Sequence, residues 1–310
     1  MRDKMDNQIT ISVIIPLYNK AASVEATLTS VLAQSVQPLE IIVVDDGSTD
    51  DSAERAERFA DRGVRVVRQA NGGVSRARNR GAAEAQGTHL AFLDADDRWE
   101  NNFIESMTAA ISENPECGLY ASAYRVVGAD GRSGLRRAAE SGVTDFFEQV
   151  KSGFVALPSA SVLSREAFES VGGFPAGMKL CEDSYLWIRV ADNYKVCFID
   201  EPLATYRVGA ENRSSKIYVA EQTEFSFEDL RGSGNEAREE FIARCVIGKA
   251  ITLCLKGDKE FARHAEQNYS STRLHRRSLW RLRTTRRLPR CLRHTFNRLY
   301  DHLAWLTKRK

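Results

Sequence analysis

The sequence lacks the cysteine patterns of a disulfide-rich or zinc-binding protein. Its 310 residues include six cysteines, without a Cys-x-x-Cys pair or a Cys/His spacing suited to zinc. It also lacks an apolar run long enough to cross a bilayer, and its polar N-terminus lacks the apolar core of a signal peptide. We therefore expect reduced thiols and a cytoplasmic protein, either free or peripheral on the inner face of the cell membrane.

Acidic residues are almost missing from the C-terminal end. Residues 273–310 contain 13 Lys/Arg and one acidic residue, Asp301, which gives a net charge of +12. The first 272 residues contain 31 basic and 41 acidic residues, a net charge of −10. The overall net charge of +2 is therefore the sum of two oppositely charged parts. We expect this basic tail and the acidic body to have different partners.

Short apolar runs alternate with helical patterns in the first part of the chain. The runs are ITISVII (9–15), EIIVV (40–44), VRVV (64–67) and HLAFL (89–93). Continuous apolar strands that alternate with helices predict a doubly wound α/β fold, in which a mostly parallel sheet has helices on both faces. The alternation loosens after about residue 115, and the chain becomes mainly helical from about Tyr218. We expect one domain over 1–217 and a helical extension over 218–310.

Polar and acidic segments follow three of the predicted strands. They lie at 16–19, 45–48 and 94–97. The carboxyl ends of parallel strands meet at one edge of a sheet, where ligands of α/β proteins bind. Neighbouring carboxylates repel each other, and a bound cation relieves this repulsion. Their oxygen atoms suit Mg²⁺ or Mn²⁺, which proteins usually bind together with a phosphate-bearing substrate. A single Asp-x-Asp motif also occurs in plain turns and helix caps, so this alternative stays open for the motif alone.

Five segments, in order along the chain, resemble the motifs of glycosyltransferase family 2. They are SVIIPLYNK (12–20), IIVVDDGSTDDS (41–52), NGGVSRARNRG (71–81), AFLDADD (91–97) and CEDSYLWIR (181–189). The resemblance covers about the first 210 residues and implies the GT-A fold, with a nucleotide-binding half joined to an acceptor-binding half. It implies a hexosyltransferase-type enzyme that moves a sugar from a nucleoside diphosphate, with UDP expected, to a hydroxyl group with inversion.

The resemblance also assigns residue roles. The residues expected to bind the donor are Pro16, Tyr18, Asp46, Gly72, Gly73, Arg78 and Asp94. Asp96 is expected to bind Mn²⁺ or Mg²⁺, and Asp183 to act as the general base, because an ionised carboxylate can take the proton of an attacking hydroxyl. Further candidates are Asp45, for loop anchoring, Asp97, Glu182 and Arg207. As an alternative, Asp183 suits the N-cap of a helix, with Glu182 favourable near the positive helix end. Gly209 stands where relatives have a histidine.

The acceptor and the binding partners are inferred from the resemblance and from the C-terminal tail. We expect a lipid-linked saccharide or a cell-surface polysaccharide as acceptor. From Leu288, apolar residues recur every three or four positions, at 288, 292, 296, 299, 303 and 306. Such a helix suits either an anionic membrane surface or packing on protein. Two alternatives are a nucleic-acid-binding protein that uses the arginine-rich tail, although no known module for nucleic acid is recognisable, and a metal-dependent nucleotidyltransferase.

Overall fold

The computed structural model describes residues 8–151, 156–208 and 224–307, with side chains up to Asp301. These residues form two compact units. The first contains the described residues up to 208 together with 224 and 225, and the second contains those from 226 onward. The expected boundary between residues 217 and 218, and the position of Gly209, lie outside the described residues.

The first unit is a sheet with helices. Its strands are β1 (Ile11–Leu17), β2 (Glu40–Asp45), β3 (Val64–Arg68), β4 (His89–Phe92), β5 (Arg98–Trp99), β6 (Cys117–Val127), β7 (Ser133–Arg136), β8 (Gly142–Thr144), β9 (Ser161–Ser164) and β10 (Lys195–Arg207). Its helices are α1 (Val24–Leu32), α2 (Ser52–Glu57), α3 (Val74–Glu84), α4 (Phe103–Glu113), α5 (Phe146–Lys151), α6 (Arg165–Ser170) and α7 (Glu182–Ala191).

The sheet has the strand order β3-β2-β1-β4-β9-β6-β10-β5. Strands β3, β2, β1 and β4 run parallel to one another, as the alternating pattern predicts. Strand β9 is antiparallel to both β4 and β6, whereas β6 and β10 are parallel to each other. The segments that follow β1, β2 and β4 therefore leave the same edge of the sheet.

Helix α3 packs closely on this sheet at Gly81. A Cβ atom at Gly81 would lie 2.3 Å from Cγ2 of Ile14 and 3.2 Å from Cγ2 of Val44, two buried residues of β1 and β2. The missing side chain thus allows the helix to approach the strands. This approach fixes the distance between α3, which carries Arg78, and the edge of the sheet.

Replacement of Gly81 should disturb this packing. We expect Gly81→Ala to lower the free energy of unfolding by about 1–3 kcal/mol, because the added methyl overpacks a dense interface. The matched control is Gly248→Ala, at an exposed helical glycine where an added Cβ would have no neighbour within 4 Å. The control should be neutral or stabilising by up to about 1 kcal/mol. Denaturant unfolding followed by tryptophan fluorescence measures both, and equal effects would contradict the close packing.

The second unit is helical in its described part. It contains α8 (Glu236–Lys256), α9 (Lys259–Asn268), α10 (Arg276–Arg287) and α11 (Arg290–Thr307). Buried Glu240 of α8 accepts hydrogen bonds from the backbone N–H groups of Arg273 and Leu274, which fixes the turn before α10. Among the described residues, no helix is long and apolar enough to span a bilayer.

Candidate active site

The segments after β1 and β2 are tied together by hydrogen bonds. The Asn19 N–H donates to Ser48 Oγ at 3.0 Å, and the Thr49 N–H donates to Asn19 Oδ1 at 2.7 Å. The Lys20 N–H donates to Ser52 Oγ at 2.7 Å. Asn19 has a φ of 51°, in the left-handed region that asparagine tolerates better than most residues. The predicted donor residues Pro16 and Tyr18, both half-buried, lie at the start of this tied segment.

Asp46 holds the glycine loop that precedes α3. Its buried carboxylate accepts hydrogen bonds from Gln69 Nε2 at 2.7 Å, from the Gly72 N–H at 2.8 Å and from the Gly73 N–H at 2.7 Å. Asp45 accepts from the Ser48 N–H at 3.1 Å, within its own turn. Both carboxylates therefore order a loop, and the expected contact of Asp46 with a nucleoside stays a prediction.

Arg78 connects three parts of the site. Its Nη2 donates to Asp94 Oδ1 at 2.7 Å, and its Nη1 donates to Glu182 Oε1 at 3.2 Å. The guanidinium also lies over the Phe174 ring, 4.9 Å from the centroid. Arg78 is buried; burial opposes its charge, but Asp94 and Glu182 outweigh this effect and raise the pKa of Arg78 above its usual range. The residue thus joins the end of β4 to the start of α7.

Asp94, Asp96 and Asp97 form an acidic cluster after β4. Carboxylate oxygens of the three lie within 4.8 Å of one another. Asp97 is buried: its Oδ2 accepts from Ser159 Oγ at 2.6 Å, and its Oδ1 accepts from the Arg207 N–H at 3.0 Å. Burial, followed by the charges of Asp94 and Asp96, raises the pKa of Asp97 well above its usual value. Asp97 therefore ties the cluster to Ser159 and to the end of β10, while the side chain of Arg207 is exposed.

The more accessible members of the cluster are Asp94 and Asp96, whose side chains are 32% and 14% exposed. Lys20 Nζ lies 2.5 Å from Asp96 Oδ2. Burial and the charge of Asp94 raise the pKa of Asp96, and Lys20 opposes this shift. Carboxylate oxygens at this spacing are a donor set that fits a hard divalent cation.

Helix α7 begins at Glu182, directly after two strained residues. Leu180 and Cys181 have φ values of 68° and 64°, an uncommon conformation for residues other than glycine, asparagine or aspartate. Cys181 is the N-cap residue, so the helix-capping alternative for Asp183 is wrong. The Asp183 Oδ1 accepts instead from the N–H of the adjacent Ser184 at 2.6 Å.

The protonation of Asp183 is set by its surroundings. Burial, followed by the charge of Glu182, raises the pKa of Asp183 to about 7, while the Ser184 N–H and Arg78 oppose the shift. A carboxylate with a pKa near neutrality is suited to accept a proton at physiological pH. Such shifts are frequent at functional sites.

Sequence reasoning missed the residues that connect the motifs. Asn79 holds the turn before α7, because its Oδ1 accepts from the Phe174 N–H at 2.9 Å and its Nδ2 donates to the Phe174 carbonyl at 2.8 Å. Ser159 accepts from the Asp94 N–H at 3.1 Å and donates to Asp97, and Lys20 pairs with Asp96. Lys20 and Asn79 lie inside the motif segments, but no spacing rule links them to their distant partners.

Comparison with known proteins supports the fold and the enzyme class. The family described as glycosyl transferase family 2 matches residues 12–172. The glycosyltransferase GlyG of Streptococcus pneumoniae is 29% identical over 253 residues, which cover 76% of this chain and 81% of GlyG. The uncharacterized glycosyltransferase EpsJ of Bacillus subtilis is 40% identical over 116 residues, 36% of this chain. The matches to EpsJ and to an uncharacterized Rickettsia conorii glycosyltransferase each span only 34% of the relative.

A solved structure has the same fold. The Staphylococcus aureus TarS fragment 1–349, crystallised in complex with UDP-GlcNAc, matches with a TM-score of 0.61 and 21% sequence identity, over 86% of this chain and 74% of that chain. The match confirms the expected GT-A fold, a curled and mostly parallel sheet in a mixed α/β arrangement with C-terminal helices.

Proposed function

Because this chain belongs to glycosyltransferase family 2 and is a glycosyltransferase, we propose that it transfers a sugar from a UDP-sugar to a hydroxyl group of a lipid-linked saccharide or a cell-surface polysaccharide. The observation that carries the proposal is the bridge through Arg78, which brings the Asp94–Asp97 cluster and Asp183 to one site. The choice of UDP rests on the fold match to TarS structures that contain UDP-GlcNAc or UDP. A nucleotidyltransferase or a nucleic-acid-binding protein would not account for the family match.

The donor would lie along the edge formed by the segments after β1, β2 and β4. Pro16 and Tyr18 offer a half-buried surface beside the tied loops. Gly72 and Gly73, held by Asp46, present backbone without a Cβ atom, and Gly73 has a φ of 87° that an L-residue adopts only with strain. This loop therefore allows a close approach of the ligand to the backbone.

The diphosphate end of the donor would meet charged groups. Asp96, with Asp94 beside it, would hold Mn²⁺ or Mg²⁺ through carboxylate oxygens. When bound, the ion would neutralise the negative charge that develops on the departing UDP. Lys20 is a further positive group at this position and would balance the charge of Asp96 and of the phosphates.

Asp183 would act on the acceptor. Its ionised carboxylate takes the proton of the acceptor hydroxyl as the oxygen bonds to the anomeric carbon and the bond from that carbon to UDP breaks. A single displacement of this kind inverts the anomeric configuration. The ion pair of Arg78 with Glu182 holds the first turn of α7 and thereby positions Asp183. A lipid-linked acceptor would place the enzyme at the inner face of the cell membrane.

Loss of Asp96 should weaken metal-dependent donor binding. We expect Asp96→Ala to raise the Kd for UDP, measured with Mn²⁺, by roughly tenfold to a hundredfold or more. Losses of metal affinity in this range follow even from mutation of groups that only support the metal ligands. The matched control is Asp200→Ala, which removes an exposed aspartate that pairs with Arg137. Titration calorimetry of UDP, with Mn²⁺, with Mg²⁺ and with a chelator, gives the measurement. Equal UDP affinity in Asp96→Ala and the wild type would contradict the metal role.

A thermal-shift panel of nucleotide sugars tests the choice of nucleotide. Ligand binding to the folded state raises the unfolding temperature, so at equal concentrations the nucleotide sugar with the lowest Kd should raise it most. We expect UDP-sugars to stabilise it most. A larger shift with a GDP- or dTDP-sugar would overturn the assignment of UDP while leaving the transferase class intact.

A further inference from the structure

Helix α11 is fixed to the second unit by polar residues. Buried Arg293 donates from Nη1 to the Cys254 carbonyl of α8 at 3.0 Å. Buried Asn297 accepts from Arg281 Nε at 2.6 Å and donates to Thr285 Oγ1 at 2.9 Å, both on α10. Over residues 290–301, where the side chains of α11 are described, the buried positions are therefore polar and hydrogen-bonded.

Over the same residues, the apolar side of α11 is partly exposed to solvent. Leu292 and Leu299 are 50% and 59% exposed, and Trp280 of α10 is 55% exposed. The Trp280 ring lies 5.9 Å from Phe296 and 6.2 Å from Tyr300 between centroids. We call these five residues, Trp280, Leu292, Phe296, Leu299 and Tyr300, the Trp280 face. Positions 292, 296 and 299 share one side of a helix, and the buried positions 293 and 297 are each about 100° further round from 292 and 296.

The surroundings of the Trp280 face are basic. Arg283 and Arg286 are partly neutralised by Glu266, at 3.2 and 2.9 Å. A further set of arginines in α10 and α11 is exposed, namely Arg276, Arg277, Arg290 and Arg298. Residues 273–310 carry 13 basic residues against one acidic residue. Two copies of such a surface would repel each other, so the occupant should be anionic and not a second copy.

We propose that the Trp280 face binds the surface of an anionic lipid bilayer. Leucine and aromatic side chains enter the boundary between headgroups and acyl chains, and tryptophan and tyrosine prefer this depth. The exposed arginines contact lipid phosphates and are attracted by the negative surface potential. Nucleic acid offers phosphates but no apolar layer for Leu292 and Leu299, so a bilayer matches both properties of the surface. The inference goes beyond the transfer reaction and does not depend on it.

Vesicle binding by the full chain tests the proposal. We expect co-sedimentation with phosphatidylcholine vesicles that contain phosphatidylglycerol, and much weaker binding to phosphatidylcholine alone or at high salt. The double variant Leu292→Ser/Leu299→Ser should bind at least about tenfold more weakly, since two exposed leucines lose their transfer into the bilayer. Arg276→Gln/Arg277→Gln should also lose roughly tenfold at low salt. The matched control Val36→Ser/Leu39→Ser changes exposed apolar residues of the first unit and should bind like the wild type.

Tryptophan quenching locates the contact. Trp99 and Trp187 are buried in the first unit, so quenching by bromine-labelled lipid chains should report on tryptophans of the second unit. We expect quenching in the wild type and a clear decrease in Trp280→Phe, with circular dichroism unchanged. The proposal is overturned if folded wild type fails to bind anionic vesicles, if all apolar variants bind equally, or if the tail binds duplex DNA and not vesicles. It is also overturned if Leu292→Ser/Leu299→Ser abolishes a dimer and no vesicle binding is found.

Discussion

Asp183→Asn is expected to lower kcat by about 10²–10⁴ while leaving the affinity for the UDP-sugar largely unchanged. The range is the usual contribution of a positioned general base, and the amide of asparagine cannot accept the proton of the acceptor hydroxyl. The Ser184 N–H that donates to Asp183 Oδ1 can still donate to the asparagine oxygen, so the start of α7 should keep its geometry. Initial rates and donor titrations with the same preparation give both quantities.

A second aspartate near α7 provides the control. Asp192 follows the end of the helix and is exposed, so Asp192→Asn changes the same chemical group away from the site. We expect its kcat to equal that of the wild type. If Asp183→Asn also retained wild-type kcat, or lost donor affinity and kcat together, Asp183 would not be the base.

The pH dependence of the reaction follows from the same residue. The pKa of Asp183 is raised to about 7 by burial and by Glu182, so the base is protonated below that pH and kcat/KM should rise as pH increases through about 7. The raised pKa also affects stability: ionisation of Asp183 in the folded state costs free energy, so stability is lost as pH rises from the unfolded value through about 7. Asp183→Asn cannot ionise, and its unfolding temperature should exceed that of the wild type above pH 7.

Arg78→Met is expected to lower the free energy of unfolding by about 3–5 kcal/mol. Removal of one partner from a buried ion pair leaves the other charges uncompensated, and here two carboxylates, Asp94 and Glu182, lose the same guanidinium. The ring of Phe174 loses its cation as well. Arg78→Lys should recover only part of the stability, because one ammonium group cannot reproduce the forked contact with two carboxylates.

The neighbouring Arg80 is the control for this substitution. Arg80 lies two residues further along α3, is 52% exposed and pairs with Glu84 on the same helix. Exposed pairs of this kind contribute about 0.3–0.5 kcal/mol, so Arg80→Met should have little effect. Equal losses of stability in the two variants would show that the bridge through Arg78 does not hold the site together.

The first four strands could be predicted because their signals are local. Each of them is a short apolar run that ends at a polar segment, and the observed bounds differ from the predicted runs by about two residues or fewer. The place of β9 between β4 and β6 had no such signal. Its position depends on antiparallel pairings with residues about 40 or more positions earlier, for example Leu90 with Leu163 and Leu119 with Leu163. Pairings over such distances are set by the packing of the whole sheet.

The residues of the candidate site could be named from the motifs, but their connections could not, and the roles assigned to them stay predictions. The motifs located the acidic cluster and Asp183, since they follow strands or open a helix. Arg78 was expected among the residues that bind the donor, and the structure shows its guanidinium between Asp94 and Glu182. The pairing of Arg78 with Glu182 spans 104 positions, which no spacing rule reaches. In α11, positions 292, 296 and 299 of the apolar repeat lie on one side of a helix, as expected. Leu288 instead precedes this helix as the C-cap residue of α10, and the side chains at 303 and 306 lie outside the described ones. The exposure of this side depends on Arg293 and Asn297 having taken the buried side.

The most direct test of the proposed reaction is identification of the products released from a panel of UDP-sugars in the presence of Mn²⁺ or Mg²⁺. Many transferases hydrolyse their donor slowly without an acceptor, because water can take the place of the hydroxyl, and the base acts on either. We expect the wild type to release UDP and the free sugar, initially with inverted anomeric configuration, from at least one UDP-sugar, and Asp183→Asn to release about 10²–10⁴-fold less. Release of pyrophosphate instead of UDP, a retained configuration, or equal release by Asp183→Asn would contradict the proposed reaction.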